Sequence, residues 1–225
     1  MTNTQNALVT GSSNPDGLGF AVATKLRSLG YDVYDIPFES LAHKEGIEAH
    51  LFTLPKIDVV INNFGINHLS WIGETPDEDQ DILYYNILVP YWIINALVAR
   101  GDICRVINVA SITHRVAQRC TSLYCASKAA LVHMTRVMAR ELAPKGWVIN
   151  SISPGKIEET TMTEMTDKQI NELRGWTQEE ADSYATSLIP MGRFTNKSEV
   201  SAAIIQLLYM PNYINGTNLD ITGAI

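Results

Sequence analysis

The sequence has few charged residues and no long apolar run, and these absences exclude several classes of protein. Charged residues make up 18% of the 225 residues, and the net charge is −7. That balance argues against a nucleic-acid surface, which needs a basic stripe. No uninterrupted run of about 18 apolar residues occurs, so no membrane span is expected. The N-terminus lacks the basic and apolar regions of a signal peptide, so none is expected there.

Cysteine is also scarce. The three cysteines, Cys104, Cys120 and Cys125, form an odd set without the spacing of metal ligands. We therefore expect reduced thiols in a cytoplasmic protein, and no metal site.

Apolar residues, by contrast, make up 46% of the chain, enough for a substantial core. Short apolar runs alternate with segments of helical periodicity, which predicts a parallel sheet covered by helices on both faces. Ligands of such folds bind at the carboxyl ends of the strands. We expect a single domain over residues 1–225, with strands near 7–10, 31–36, 57–62, 103–109, 147–153 and 217–221.

A glycine-rich turn over residues 10–19 joins the first predicted strand to the first predicted helix. Glycines let the backbone approach a pyrophosphate, and the helix N-terminus supplies amides and a positive dipole. The alternative is a plain glycine-rich turn. The residues expected to contact a dinucleotide here are Gly11, Ser13, Gly17, Leu18 and Gly19.

An acidic residue, Asp35, follows at the end of the second predicted strand. A carboxylate there can accept hydrogen bonds from both ribose hydroxyls and repels a 2′-phosphate. No lysine or arginine occurs within residues 11–19 or 35–41, which favours NAD(H) over NADP(H). The alternative is that Asp35 only caps the next segment.

A third candidate site combines Tyr124, Lys128 and Ser111. Tyr124 and Lys128 are four residues apart, so a helix places them on one face. A nearby ammonium favours the phenolate, and a tyrosine tuned in this way can exchange a proton with an alcohol or carbonyl. The hydroxyl of Ser111, thirteen residues upstream of Tyr124, can hold the same oxygen. The alternative is an ordinary surface pair.

In this order, these motifs resemble those of the short-chain dehydrogenase/reductase family over nearly the full length. Besides the glycine turn, the similar segments are Asn62-Asn63-Phe64-Gly65, Asn86, Ser111 with Tyr124 and Lys128, Pro154-Gly155 with Thr160, and residues 189–194 and 216–223. The resemblance implies a Rossmann-type doubly wound sheet and an NAD(P)(H)-dependent oxidoreductase that interconverts a carbonyl and a secondary alcohol by hydride transfer.

The resemblance also implies roles for individual residues. Tyr124 is the general acid/base, Lys128 lowers its pKa and holds the nicotinamide ribose, and Ser111 assists. Asn86 holds a water, helped by a helix kink or break predicted at Pro90. Thr160 is expected to bind the carboxamide, and Thr161 is equally suited by spacing. Asn62 is expected to be structural. The remaining expected cofactor contacts are Asn63, Gly65, Pro154 and Gly155.

Two departures from the family pattern affect the adenosine side. Five residues separate Gly11 from Gly17, where the family usually has three. The segment between Asp35 and Asp58 is too short for the usual helix, strand and helix. We therefore predict six strands rather than seven, with the βα unit after the second strand shortened. Asp35 is then also a candidate for the missing adenine contact.

The substrate is expected to be a small carbonyl or alcohol compound under a lid at about 157–190. Arg115 and Arg119 lie in the stretch that borders the cleft in the family, which favours an anionic substrate; the alternative is a solvated basic loop. A homo-oligomer is expected, either a tetramer or a dimer. A non-catalytic dinucleotide-binding sensor or scaffold is the alternative function. An enoyl reductase is disfavoured because those enzymes usually separate Tyr and Lys by seven residues.

Overall fold

The computed structural model describes residues 4–225 and contains one parallel sheet of six strands, in the order β2-β1-β3-β4-β5-β6. All five neighbouring pairs are parallel. The predicted doubly wound fold with six strands is confirmed. The strands are β1 (Asn6–Val9), β2 (Asp32–Tyr34), β3 (Val59–Asn62), β4 (Arg105–Val109), β5 (Val148–Pro154) and β6 (Asn218–Ile221).

Helices connect the strands and cover both faces of the sheet. They are α1 (Leu18–Ser28), α2 (Phe38–Leu41), α3 (Lys44–Thr53), α4 (Asp81–Leu83), α5 (Val89–Arg100), α6 (Ser122–Leu142), α7 (Thr161–Arg174), α8 (Gln178–Ser187) and α9 (Lys197–Leu208). Short 3₁₀ turns occupy Asp77–Gln80, Ile112–His114 and Ala143–Lys145, and Tyr84–Leu88 forms a π-helical turn.

The two large buried clusters lie on opposite faces of the sheet, because the strands are apolar on both faces. Leu8 packs with α3, α5 and α6 on one side, whereas its neighbour Val9 packs with α1 and α9 on the other. Successive strand residues point to opposite faces, so β1 contributes to both cores. The result is a rigid sheet whose strands end along one edge.

The crossover between β2 and β3 is the shortened one. Only α2 and α3 lie between these strands, and β1 pairs directly with both. Ile47 and Leu51 of α3 are buried against the sheet, so this single helix covers the surface there. The chain changes direction between β1 and β3, which opens a crevice at their carboxyl ends.

The helical segment Asp77–Arg100 continues through Pro90 without a break, and the irregularity in the helix is a π turn. A π turn precedes Pro90, and the proline lies in the first turn of α5, where its missing amide is tolerated. By length and composition this segment resembles a membrane-spanning helix, but half of its most apolar window is buried inside the protein. Packing against the sheet accounts for its apolar character.

Candidate active site

The predicted catalytic residues lie beyond the carboxyl end of β4. Ser111 follows β4, and Tyr124 and Lys128 lie in the first two turns of α6. The Lys128 side chain is buried, and its Nζ donates a hydrogen bond of 3.0 Å to the carbonyl of Val109, the last residue of β4. The same Nζ lies 5.6 Å from the centre of the Tyr124 ring. Helical spacing thus brings the ammonium and the phenol together, as the sequence predicts.

Burial controls the protonation of both groups. Desolvation raises the pKa of Tyr124 to about 12, although the Ser111 hydroxyl acts in the opposite direction. Desolvation lowers the pKa of Lys128 to about 8. The expectation that the pKa of Tyr124 is depressed is therefore wrong. The cost of dehydrating the phenolate outweighs the opposing effect of the Ser111 hydroxyl, and burial also disfavours the charge of Lys128.

Asn86 is buried in the π turn beside this site. Its Oδ1 accepts from the Ile66 amide at 2.9 Å, and its Nδ2 donates to the Ile66 carbonyl at 2.9 Å and to Ser127 Oγ at 3.0 Å. The side chain therefore fixes the segment after β3. Pro90, four residues later, has no amide to offer the Asn86 carbonyl, which leaves that oxygen without its usual α-helical partner.

Gly65 fits between Asn86 and Lys128. A Cβ at this position would lie 2.7 Å from Asn86 Oδ1 and 3.3 Å from Lys128 Nζ. Only a glycine lets the chain after β3 pass so close to the two side chains. Gly65 is thus placed to shape the catalytic pocket.

The glycine turn is tied to the end of β3. Asn63 Nδ2 donates to the Thr10 carbonyl at 3.0 Å, and Thr10 Oγ1 accepts from the Asn63 amide at 3.0 Å. A Cβ on Gly19 would lie 2.6 Å from Asn63 Nδ2, so α1 can approach this turn only because residue 19 is glycine. Asn62 donates to Asn108 Oδ1 at 2.8 Å inside the sheet, consistent with its expected structural role.

The Asp35 carboxylate binds the glycine turn itself. It accepts hydrogen bonds from the amides of Gly11 (3.0 Å), Ser12 (2.8 Å) and Ser13 (3.0 Å). It also accepts from the amide of Ile36 at 2.8 Å. Sequence reasoning missed this contact, although the pairing of β1 with β2 places the two loops side by side. The ribose and 2′-phosphate roles of Asp35 remain predictions.

The uncapped N-terminus of α1 lies at the other end of the turn. Gly17 precedes the helix and makes no side-chain cap, so the first amides, including those of Leu18 and Gly19, are not satisfied by a side chain. Such amides and the helix dipole suit a phosphate. Because Asp35 already binds the amides of residues 11–13, the N-terminus of α1 is the better anion site of the two ends of the turn.

The chain after β5 leads into two helices. The Gly155 amide donates to the Ile221 carbonyl at 2.8 Å, which fixes the Pro154–Gly155 turn. Thr160 is buried and caps α7, since its Oγ1 accepts from the Thr163 amide at 3.2 Å. Thr161, more open to solvent, accepts a hydrogen bond of 3.0 Å from Asn14 Nδ2 in the glycine turn.

A lysine that sequence reasoning passed over holds these two helices together. Lys156 Nζ lies 2.9 Å from Asp167 of α7 and 3.0 Å from Asp182 of α8. It also lies 4.2 Å from the centre of the Phe194 ring. Within the predicted lid at 157–190, α7 and α8 are thus both bound to one cation, Lys156.

The two arginines near the cleft differ. Arg115 Nε pairs with Asp220 at 2.8 Å, and its guanidinium donates to the Ile225 carbonyl at 2.6 Å. Arg115 is therefore committed to the C-terminal segment. Arg119 is exposed and, within residues 4–225, forms no ion pair. Of the two, Arg119 is the one available to an anionic substrate.

An aromatic cluster lies beside the glycine turn. The rings of Phe38 and Phe64 are 5.8 Å apart, and each lies 5.6 Å from Tyr85. Phe38 is 55% exposed, which is unusual for a residue in such a cluster. Sequence reasoning did not reveal this cluster, because it joins the chain after β2 to the chain after β3 and to Tyr85.

Comparison with known proteins agrees with this geometry. A family model described as enoyl-(acyl carrier protein) reductase matches residues 40–223. The 3-oxoacyl-(acyl-carrier-protein) reductase FabG of Rickettsia felis is 30% identical over 246 residues, covering 98% of this chain and 96% of the relative. FabG of Vibrio harveyi is 29% identical over 237 residues, covering 98% of this chain and 88% of the relative.

The chain belongs to the short-chain dehydrogenase/reductase family. Its enzymatic class is that of an NAD(P)(H)-dependent oxidoreductase that interconverts a carbonyl and an alcohol. Solved structures with the same fold include NAD⁺-bound xylitol dehydrogenase, with a TM-score of 0.89, 20% identity and full coverage of both chains. Another is a variant actinorhodin polyketide ketoreductase with NADPH, with a TM-score of 0.86 and 23% identity, covering 99% of this chain and 97% of that one.

Proposed function

We propose that Tyr124 is the proton donor in carbonyl reduction and the proton acceptor in the reverse oxidation. The observation that carries this proposal is the convergence of Tyr124, Lys128, Ser111 and Asn86 beside the carboxyl end of β4. A bound nicotinamide supplies the hydride chemistry at the carbon that bears the oxygen. A tyrosine phenol is protonated at neutral pH, as a proton donor requires, whereas the raised pKa of Tyr124, about 12, makes the phenolate needed for the reverse oxidation harder to form.

The neighbouring groups complete the proton path. Ser111 Oγ is placed to hold the reacting oxygen beside the phenol. Lys128, with a pKa lowered to about 8, exchanges protons close to physiological pH and can restore the proton lost by Tyr124. The Asn86 carbonyl, to which Pro90 offers no amide, is a candidate to hold the water that connects Lys128 to solvent.

The residues of the glycine turn fit a dinucleotide. We assign the pyrophosphate to the N-terminus of α1, with Gly17, Leu18 and Gly19 approaching it and Ser13 beside it. Asn63, Gly65, Pro154 and Gly155 border the path to Tyr124. Thr160 or Thr161 reaches the carboxamide. No cationic side chain lies in residues 11–19 or 35–41, and Asp35 places a negative charge at the turn, so NAD(H) is favoured over NADP(H).

The aromatic cluster suits the adenine. Phe38 follows β2 and Phe64 follows β3, so the two rings flank the crevice beyond Asp35. The exposed face of Phe38 offers a stacking surface for a purine, which every base can use. This aromatic surface replaces the side of the adenine site that the missing strand would form.

For the substrate we propose a 3-oxoacyl thioester. Two relatives of 29% and 30% identity are named 3-oxoacyl-(acyl-carrier-protein) reductases. Exposed Arg119 at the cleft matches the anionic carrier of such a compound. Helices α7 and α8 form the lid.

We further propose a cytoplasmic homo-oligomer, a dimer or a tetramer. Tyr91 and Leu88 on α5 and the preceding turn are exposed apolar side chains that a second subunit can cover. Ile94 of the same helix is buried in the core and does not contribute to such an interface.

The proposal is tested by assaying carbonyl reduction with NADH and with NADPH. The panel contains a 3-oxoacyl thioester, a neutral ketone, a sugar ketone and an enoyl thioester. Turnover of the 3-oxoacyl thioester, faster with NADH, is the expected result. Turnover of the enoyl thioester alone would identify an enoyl reductase. Binding of cofactor without turnover of any compound would identify a sensor.

A further inference from the structure

The enlarged glycine turn contacts the lid. Residues Asn14–Asp16 form a small turn of their own, in which the Gly17 amide donates to the Asn14 carbonyl at 2.9 Å and the Asp16 amide donates to Asn14 Oδ1 at 3.1 Å. With Oδ1 engaged, Asn14 Nδ2 points away from the turn and donates to Thr161 Oγ1 at 3.0 Å. The extra residues therefore do more than lengthen the loop.

This hydrogen bond spans the crevice. Asn14 belongs to the loop after β1, and Thr161 is the first residue of α7, in the segment after β5. In the sheet, β3 and β4 lie between those two strands, so the contact passes over their carboxyl ends. A dinucleotide that extends from α1 to Tyr124 must lie beneath it.

Other contacts hold both ends of the bridge. Lys197 Nζ of α9 donates to the Asp16 carbonyl at 3.4 Å, on the outer side of the turn. Thr160, next to Thr161, is fixed by capping α7. The bridge therefore connects two anchored segments and cannot move aside without breaking its one hydrogen bond.

We infer that Asn14 and Thr161 form a strap that retains the bound dinucleotide and must open for its release. This inference rests on the proposed dinucleotide site and adds to it two positioning residues that act through the closed crevice. A hydrogen bond of this kind contributes about 1 kcal/mol, which corresponds to about a fivefold change in rate when it must break first. In enzymes that close over their ligands, such opening steps often limit turnover.

The test is the dissociation rate of NADH, measured by stopped-flow displacement with fluorescence detection. Thr161→Val and Asn14→Ala are each expected to raise the rate about fivefold. The double variant is expected to dissociate no faster than either single variant, because both remove the same hydrogen bond. Thr161→Ser keeps the hydroxyl and is expected to match the wild type.

Two controls separate the strap from other roles. Asn171→Ala removes a lid hydrogen bond to Gln178 away from the turn and is expected to leave the rate unchanged. ADP-ribose, which has no carboxamide, is displaced in parallel by a fluorescent competitor. Its release is also expected to accelerate in Thr161→Val, whereas a role limited to the carboxamide predicts no change.

The outcomes distinguish the two proposals. An unchanged rate of NADH dissociation in both single variants, or additive increases of that rate in the double variant, would overturn the strap. If the wild-type protein still binds NADH and turns over substrate, the proposed function stays intact in that case. Failure of the wild-type protein to bind NADH, NADPH and ADP-ribose would overturn the dinucleotide site and the strap with it.

Discussion

The two ends of the crevice are held together in different ways. At the catalytic end, Lys128 and Asn86 are buried and bind backbone groups of Val109 and Ile66. At the adenosine end, Asp35 holds an enlarged turn, and Phe38 is exposed. The catalytic end keeps every residue of the family pattern, whereas the adenosine end has lost a strand and gained its own contacts.

This difference separates two kinds of constraint. Proton transfer requires a few groups at fixed positions, so little variation is possible around Tyr124. Adenosine binding requires a stacking surface and hydrogen-bond partners, which different residues can supply. We therefore expect substitutions at the catalytic end to reduce kcat, and those at the adenosine end to change cofactor affinity.

Apart from loss of Tyr124 itself, the largest effect is expected for Lys128→Met, which should lower kcat at least about 100-fold because it removes the proton relay. The same variant should be more stable at pH 7, on the order of 1 kcal/mol, since a charged lysine is costly to bury. Activity assays and urea unfolding at pH 7 measure the two effects.

The pH dependence of stability sharpens this prediction. The pKa of Lys128 is lowered to about 8 in the folded protein. Between about pH 8 and the higher pKa that this lysine has in the unfolded chain, Lys128 keeps its proton only in the unfolded chain. The contribution of Lys128 should therefore raise the free energy of unfolding as the pH increases from about 8 to about 10, so the wild-type protein should gain stability relative to Lys128→Met over this range. Lys145→Met, at an exposed site, is the control. If the free energy of unfolding of Lys128→Met changes with pH as steeply as that of the wild type, the cost of burying the charged lysine is contradicted.

Asp35→Asn should come next in size. Loss of the carboxylate weakens its hydrogen bonds to the turn amides, so NADH should bind about tenfold more weakly. If the charge also repels a 2′-phosphate, the affinity for NADPH should fall less, and the ratio of the two dissociation constants should shift toward NADPH.

Isothermal titration with both cofactors measures that ratio. Asp16→Asn, an exposed carboxylate in the same turn, is the matched control. Equal weakening of NADH and NADPH by Asp35→Asn would mean that Asp35 only supports the turn and does not select the cofactor.

A moderate effect is expected for Phe38→Ala. Removing the stacking surface should weaken binding of NADH and of AMP about five- to tenfold, with kcat unchanged at saturating cofactor. Phe52→Ala, an exposed phenylalanine on α3, provides the comparison. Equal affinities of the Phe38→Ala and wild-type proteins for AMP would exclude the stacking role.

The smallest effect is expected at the substrate cleft. Arg119→Ala should raise the KM for an anionic thioester about threefold and leave that for a neutral ketone unchanged, as for an exposed ion pair. Arg115→Ala should chiefly lower stability, because its guanidinium binds Asp220 and Ile225. If neither variant changes the KM, the basic loop is merely solvated.

The sequence predicted the catalytic end better than the adenosine end, for a physical reason. Tyr124 and Lys128 interact through helical spacing, and Pro90 marks the altered winding near Asn86, so local patterns suffice. The contacts of Asp35 with residues 11–13 and of Asn14 with Thr161 join distant segments, which periodicity does not reveal. The raised pKa of Tyr124 depends on burial, which is likewise a property of the folded chain.

The most direct test of the catalytic assignment is single-turnover reduction of the carbonyl substrate by wild-type protein and Tyr124→Phe, with bound NADH followed by fluorescence. We expect the variant to bind NADH with unchanged affinity and to reduce substrate at least about 1,000-fold more slowly. A variant that binds NADH normally and keeps more than about a tenth of the wild-type rate would contradict the role of Tyr124 as the proton donor.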